Sequence, residues 1–149
     1  MDGVPLKGKL DKLEFIGKDA NVVDYKTGDV DKARERLCPP SEKNPNGGDY
    51  WRQAVFYKIL VDNHNRKWNV VSTEFDFIEP DKRKKYRKER IFITPGDVTT
   101  VRQQIKMAWE KIQQHDFYTG CGKNDCHWCN FVKTNNMAIE LHELSEEES

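Results

Sequence analysis

The sequence predicts one mixed α/β domain whose sheet starts antiparallel. Three observations predict it. Short stretches rich in β-branched and aromatic residues recur between turn signals. Two longer stretches carry helical periodicity. Their order is strand, strand, helix, strand, strand, helix, and the four-residue turn between the first two strands can join only antiparallel neighbours. A chain of 149 residues can bury roughly 68–70% of its unfolded surface, so it needs no disulfides to fold.

Val4 to Ile16 reads as a strand or a bent pair of strands, and Gly17-Lys18-Asp19-Ala20 has turn chemistry. Asn21 to Lys26 is a short strand stopped by Thr27-Gly28. Asp29 to Gly48 has no sustained apolar period and holds Pro39-Pro40 and Asn44-Pro45-Asn46-Gly47-Gly48. It is a loop, with room for one helical turn near Lys32 to Leu37. Its length exceeds the ~12–15 residues usual for structureless connections, which favours a functional or mobile loop. Asp49 to Val61 is a helix with Asp49 as N-cap. Its apolar residues go nearly all round, so it is covered on more than one side. Lys67 to Ile78 and Arg90 to Thr94 are strands, joined as a hairpin by the basic run Lys82 to Arg90. Thr94-Pro95-Gly96-Asp97 starts a helix, with Thr94 as cap and Asp97 three residues on. Val98, Val101, Ile105, Ala108, Trp109 and Ile112 then follow a period near 3.6.

Composition narrows the function classes. Charged residues make up 34% and aromatics 11%, too aromatic for a disordered chain of this charge. The longest apolar run is far short of the ~18 residues of a membrane span, and no secretory leader is visible. No membrane partner is expected. Twenty-five basic and 25 acidic side chains cancel, so bulk charge names no partner.

The chemistry concentrates in the first two strands. Alternation puts Asp11 on one face with Leu13 and Phe15, and puts Asp24 and Lys26 together, roughly 6–7 Å apart along the strand. A buried, unpaired carboxylate would cost several kcal/mol or take up a proton. Two carboxylates and an ammonium converging on one face suit a divalent cation with a lysine beside it. Asp11 and Asp24 would offer hard oxygens to Mg²⁺ or Mn²⁺, and the Tyr25 backbone carbonyl would be a further ligand. Lys26 would stabilise developing negative charge or orient a water. The alternative is a structural Asp–Lys pair between strands, with Asp11 turned out at a bulge.

Gly8-Lys9-Leu10-Asp11, followed by Val22-Val23-Asp24-Tyr25-Lys26-Thr27-Gly28, resembles the PD-(D/E)xK nuclease superfamily. It is most similar to the RecB-like branch, in which a G-x-x-D strand precedes a D-Y-K-[ST] strand. Gln53 and Tyr57, at i and i+4 on the next helix, match that branch's Q-x-x-x-Y motif; read alone they are an ordinary surface Gln and a half-buried Tyr. The likeness runs to Cys126-His127-Trp128-Cys129-Asn130-Phe131, similar to the end of nuclease domains at the C-terminus of UvrD/Rep-type helicases and in AddB-like subunits.

The resemblance implies a restriction-endonuclease-like mixed β-sheet core flanked by helices. It implies a nuclease core over 1–115, a Cys-bearing segment packed on it over 116–133, and a disordered acidic tail over 134–149. Asp11, Asp24 and Lys26 would be catalytic, the two aspartates holding the metal, and Gln53 and Tyr57 would help place DNA. The expected activity is metal-dependent hydrolysis of DNA phosphodiester bonds, in a bacterial cytoplasmic helicase-nuclease that repairs or recombines DNA. A helicase motor domain would be the partner in the same full-length chain. The family's helix before the G-x-x-D strand, with the His or Glu that completes the metal site, has no counterpart in residues 1–7. The resemblance therefore implies a piece lacking the first helix, expected to cut weakly or not at all. Two rival readings stand beside it: a non-catalytic nucleic-acid-binding module of the same fold, and a zinc-stabilised interaction domain.

Cys121, Cys126 and Cys129 are spaced C-x4-C-x2-C. Three thiolates suit Zn²⁺ or an iron–sulfur cluster, with Cys38, His115, His127 or His142 as fourth ligand; reduced, buried cysteines are the alternative. AddB-like relatives hold an iron–sulfur cluster on four cysteines, though with a different spacing of the last three. Lys82 to Arg90 holds seven bases and one acid. It reads either as a solvated hairpin tip or as a phosphate-contacting element in which Tyr86 stacks on an unpaired base.

Overall fold

Two residues reverse the chain between the first strands. β1 (Lys12–Ile16) pairs antiparallel with β2 (Asp19–Lys26), Ile16 opposite Asp19, leaving Gly17 and Lys18 as the loop. Gly17 has φ +63°, the conformation a two-residue hairpin loop demands at its first position. The computed structural model describes residues 1, 3–116, 120–121 and 125–134. Residues Met1–Lys106 form one compact unit and a second begins at Met107. The expected acidic tail over 134–149 lies, apart from Thr134, outside the described residues.

After β2 come two short 3-10 turns, Val30–Lys32 and Glu35–Leu37, where the sequence left room for one helical turn. Then follow α1 (Asp49–His64), β3 (Asn69–Phe77), β4 (Arg87–Phe92), α2 (Pro95–Gln113) and α3 (His127–Thr134). The sheet has the order β1-β2-β3-β4; β2 and β3 run parallel, β3 and β4 antiparallel. This is the mixed α/β sheet with flanking helices of a restriction-endonuclease-like fold. The parallel step follows from α1, since parallel neighbours need a long crossover.

Three expectations are corrected. Val4 to Asp11 is not strand: Pro5 lacks an N–H for a ladder. Leu6 and Leu10 instead pack in the clusters around α1, and Gly8 lies so close to the helix that a Cβ there would come within 2.2 Å of Leu60. Asp49 is not the cap of α1; Gly48 is, and the Asp49 carboxylate is taken by Arg36 (Nε to Oδ1, 2.8 Å). The basic run is not all hairpin tip, because β4 already begins at Arg87.

Alternation along the strands sorts the sheet into two faces. One carries Leu13, Val22, Asp24, Thr73, Phe75 and Ile91 and meets α1, where Thr73 Oγ1 donates to the Ala54 carbonyl at 3.3 Å. The far side of α1 (Trp51, Val55, Ile59) packs with Val101 of α2, so α1 is covered on both sides as its all-round apolar pattern demands. Asp97 and Thr94 close a capping box at the start of α2: Asp97 N–H donates to Thr94 Oγ1 (3.2 Å) and Thr94 N–H to Asp97 Oδ2 (2.8 Å).

Candidate active site

The parallel pairing of β2 and β3 brings an aspartate into the sheet interior. Asp24 is 5% exposed and sits across from Phe75. Two side chains of α1 reach it. The Tyr57 hydroxyl donates to Asp24 Oδ1 at 2.5 Å, and Gln53 Nε2 approaches the same oxygen at 3.5 Å while donating to the Tyr57 hydroxyl at 2.7 Å. One helical turn separates Gln53 from Tyr57, so both face the strand. Burial first, then the bond to Asp24, pushes the Tyr57 phenol well above the ordinary tyrosine range. Tyr57 therefore stays a neutral donor at any physiological pH.

Lys26 lies two residues along β2 on the same face. Its ammonium is 2.7 Å from Asp24 Oδ2 and donates to Gln53 Oε1 at 2.8 Å. Asp24 Oδ2 itself is shut from solvent and takes no well-aligned hydrogen bond among the described residues. Charge, rather than hydrogen-bond alignment, holds that pair. The ammonium also stands over the rings of Tyr50 (4.7 Å) and Phe75 (5.3 Å), within cation–π reach. Arg36 stacks on Tyr50 at 3.8 Å and donates through Nη1 to its hydroxyl at 2.8 Å.

Asp11 immediately precedes β1 and is exposed. Lys12, the first residue of β1, pairs with Val23, so Asp11 lies at the end of that ladder, beside Asp24 and Tyr25. Its Oδ2 accepts from the Tyr25 N–H at 3.1 Å, and its charge contributes to the rise of the Tyr57 phenol. The structure thus brings Asp11, Asp24, Lys26, Gln53 and Tyr57 to one place. The donor set fits a hard divalent cation: hard oxygens, one of them a buried, unaligned carboxylate lone pair.

Sequence reasoning missed Tyr50, Phe75 and Arg36. Tyr50 was findable, since it precedes Gln53 by three residues and Tyr57 by seven on one helix stripe. Phe75 needed the strand pairing and Arg36 the path of the loop.

The other face of the sheet is polar and self-neutralised. Glu74, 7% exposed, accepts from Arg90 Nε (3.0 Å), and Lys88 pairs with Asp76 at 2.9 Å. Three of the seven bases in Lys82 to Arg90 are therefore partnered by acids that the strand pairing or the hairpin turn supplies: Arg87 with Asp81, Lys88 with Asp76, and Arg90 with Glu74.

In the second unit, Cys121, Cys126 and Cys129 place their sulfurs within 4.8 Å of one another. Cys126 stands just before α3, and its carbonyl accepts from the Asn130 N–H. The Cys129 backbone N–H, with hydrogen bonding to the other two sulfurs, brings the Cys126 thiol down to about 7.

A sequence model of the PD-(D/E)XK nuclease superfamily matches residues 1–134. The chain belongs to that superfamily. No curated protein and no solved structure matches it. The membership makes this a nuclease-superfamily fold of the kind that works with divalent metal. No described helix is long and apolar enough to cross a membrane.

Proposed function

We propose that the chain is a deoxyribonuclease of RecB-like type that hydrolyses phosphodiester bonds with Mg²⁺ or Mn²⁺. In this reading it is the nuclease part of a helicase-nuclease acting in DNA repair or recombination. The observation that carries it is the Asp24–Lys26 pair: a buried carboxylate oxygen held 2.7 Å from an ammonium, with Asp11 bonded to the intervening Tyr25 N–H. A purely structural ion pair would align its hydrogen bonds, because a buried pair is stable only with good geometry.

Asp11 and Asp24 would hold the cation, with the Tyr25 carbonyl beside them. When bound, such an ion lowers the pKa of a water and neutralises charge on a phosphate. Tyr57 and Gln53 hold Asp24 Oδ1, so Oδ2, the oxygen beside the Lys26 ammonium, keeps one direction. Gln53, Tyr50 and Phe75 fix the Lys26 ammonium. That group has three N–H donors, and Gln53 occupies one. Another can meet a phosphate oxygen as negative charge develops, or orient the attacking water.

Asp24→Ala is expected to reduce Mn²⁺-dependent cleavage of DNA to background, with circular dichroism unchanged. Cutting at the parental rate by a folded Asp24→Ala chain would remove the catalytic reading.

The cysteine trio supports a second, separate metal centre. Sulfurs on one tetrahedral Zn²⁺, at Zn–S of about 2.3 Å, lie about 3.8 Å apart, whereas a cluster spreads its cysteines over several irons. The Cys121 and Cys129 sulfurs are 3.5 Å apart, which favours zinc over iron–sulfur.

A further inference from the structure

The row of the sheet that carries Lys26 continues across two strands. Lys26 pairs with Phe77 and Phe77 with Arg87, so Arg87 stands on the same face about 10 Å away at ~4.8 Å per strand spacing. At that end of the sheet a cavity of 410 Å³ is lined by Asp31, Arg34, Asp81, Lys82, Arg83 and Arg87. It lies between the first 3-10 turn region and the β3–β4 hairpin.

The hairpin wall is rigid. Asp81 is buried, and its Oδ1 accepts from the N–H groups of Arg83 (2.8 Å) and Lys85 (2.9 Å). Its backbone bonds Lys85 O (2.9 Å) and Lys84 N–H (2.8 Å), and Lys84 takes φ +58° to close the turn. Asp81 Oδ2 and Arg87 Nε pair at 2.8 Å and neutralise each other. Arg34, Lys82 and Arg83 have no carboxylate partner among the described residues. Three cations without a carboxylate partner and one remaining carboxylate, Asp31, therefore line a concave site whose hairpin wall Asp81 holds in place. Guanidinium forks match phosphate oxygens.

We propose that this pocket grips a backbone phosphate of DNA on the Arg87 side of the scissile bond. It would set how the strand crosses the sheet toward Lys26. The inference rests on the proposed nuclease function and adds a positioning subsite to it.

The test compares three chains on a labelled DNA duplex with no Mg²⁺ or Mn²⁺ added, so that binding is read without cutting and no chelator reaches the cysteine trio. They are the parent, a pocket variant (Arg34→Gln, Lys82→Gln, Arg83→Gln), and a control variant (Lys18→Gln, Arg66→Gln, Lys67→Gln). The control loses the same charge at exposed positions near the opposite end of β2 and β3. The pocket variant is expected to bind more weakly and to lose about 2.7 from the slope of log affinity against log salt, for three contacts at ~0.9 each. The gap between parent and pocket variant then narrows roughly 40-fold from about 50 to 200 mM NaCl. The control is expected to keep the parental slope. If the parent binds and cuts DNA but the pocket variant matches it, or the control falls equally, this inference is overturned and the nuclease reading stands. A parent that neither binds nor cuts DNA overturns both.

Discussion

Gln53 is the side chain whose two ends do different work. Its Oε1 accepts from the Lys26 ammonium and its Nε2 donates toward Tyr57 and Asp24. The amide offers a donor and an acceptor on separate atoms of one terminus, so an ionised Glu or a Lys there would leave one neighbour unpaired. The family resemblance gives this position to DNA, but its polar atoms in this structure are all engaged with the lysine, the tyrosine and the carboxylate. The two roles separate kinetically. If Gln53 positions Lys26, Gln53→Ala is expected to lower kcat by about 10–100-fold, as a misplaced group does, with KM for DNA near the parental value. A rise in KM at constant kcat would return Gln53 to the DNA-binding role. The neutrality of Tyr57 adds a condition. Its phenol is raised above 10.0, so its contribution is complete below that pH and is lost only in stronger alkali. Any pH dependence of cutting between pH 6 and 9 must arise elsewhere than in Tyr57.

At the scale of elements, what was legible in the sequence was what depends on local period. Asp24 and Lys26 share a face because a strand alternates, and Gln53 and Tyr57 share a stripe because a helix repeats in 3.6. The Thr94–Asp97 box is likewise written in four consecutive residues. What depends on pairing was not legible. Nothing local says that Phe75 backs Asp24, because β2 and β3 meet across more than forty intervening residues; that Arg90 lies opposite Glu74 depends on the register of the β3–β4 hairpin. The N-cap of α1 was misjudged for the same reason. Asp49 looks like a cap by type, but the loop before it returns Arg36 to the helix end, and Arg36 takes the carboxylate. That return requires glycine at 48: a Cβ there would lie 2.1 Å from the Arg36 carbonyl oxygen, although φ is an ordinary −72°. Gly48→Ala is therefore expected to displace the Arg36 segment and loosen its stack on Tyr50, costing about 1–3 kcal/mol in urea unfolding. It should also depress cleavage through Lys26. A variant of parental stability and activity would show that the loop yields freely there and does not brace the lysine.

Across the whole molecule, formal charge sums to zero, yet the two units offer metals opposite kinds of donor. The first brings together carboxylate oxygens, which suit Mg²⁺ or Mn²⁺; the second gathers three thiols, which suit Zn²⁺. Softness keeps the two ions apart, so each centre should answer to its own substitutions. The chain isolated from zinc-containing medium and dialysed against buffer is expected to retain about one zinc, as measured by elemental analysis. The paired change Cys126→Ser and Cys129→Ser should remove it, because two of three thiolates are lost and no structural zinc site stands on one. Asp24→Ala should leave the zinc in place while abolishing cleavage, since no carboxylate serves a thiolate site. Iron with a visible absorption band would replace zinc by a cluster. A parent chain that holds no metal at all would make the trio three reduced thiols gathered at the start of α3, with the Cys126 sulfur accepting from the Cys129 and Trp128 N–H groups in place of an ion.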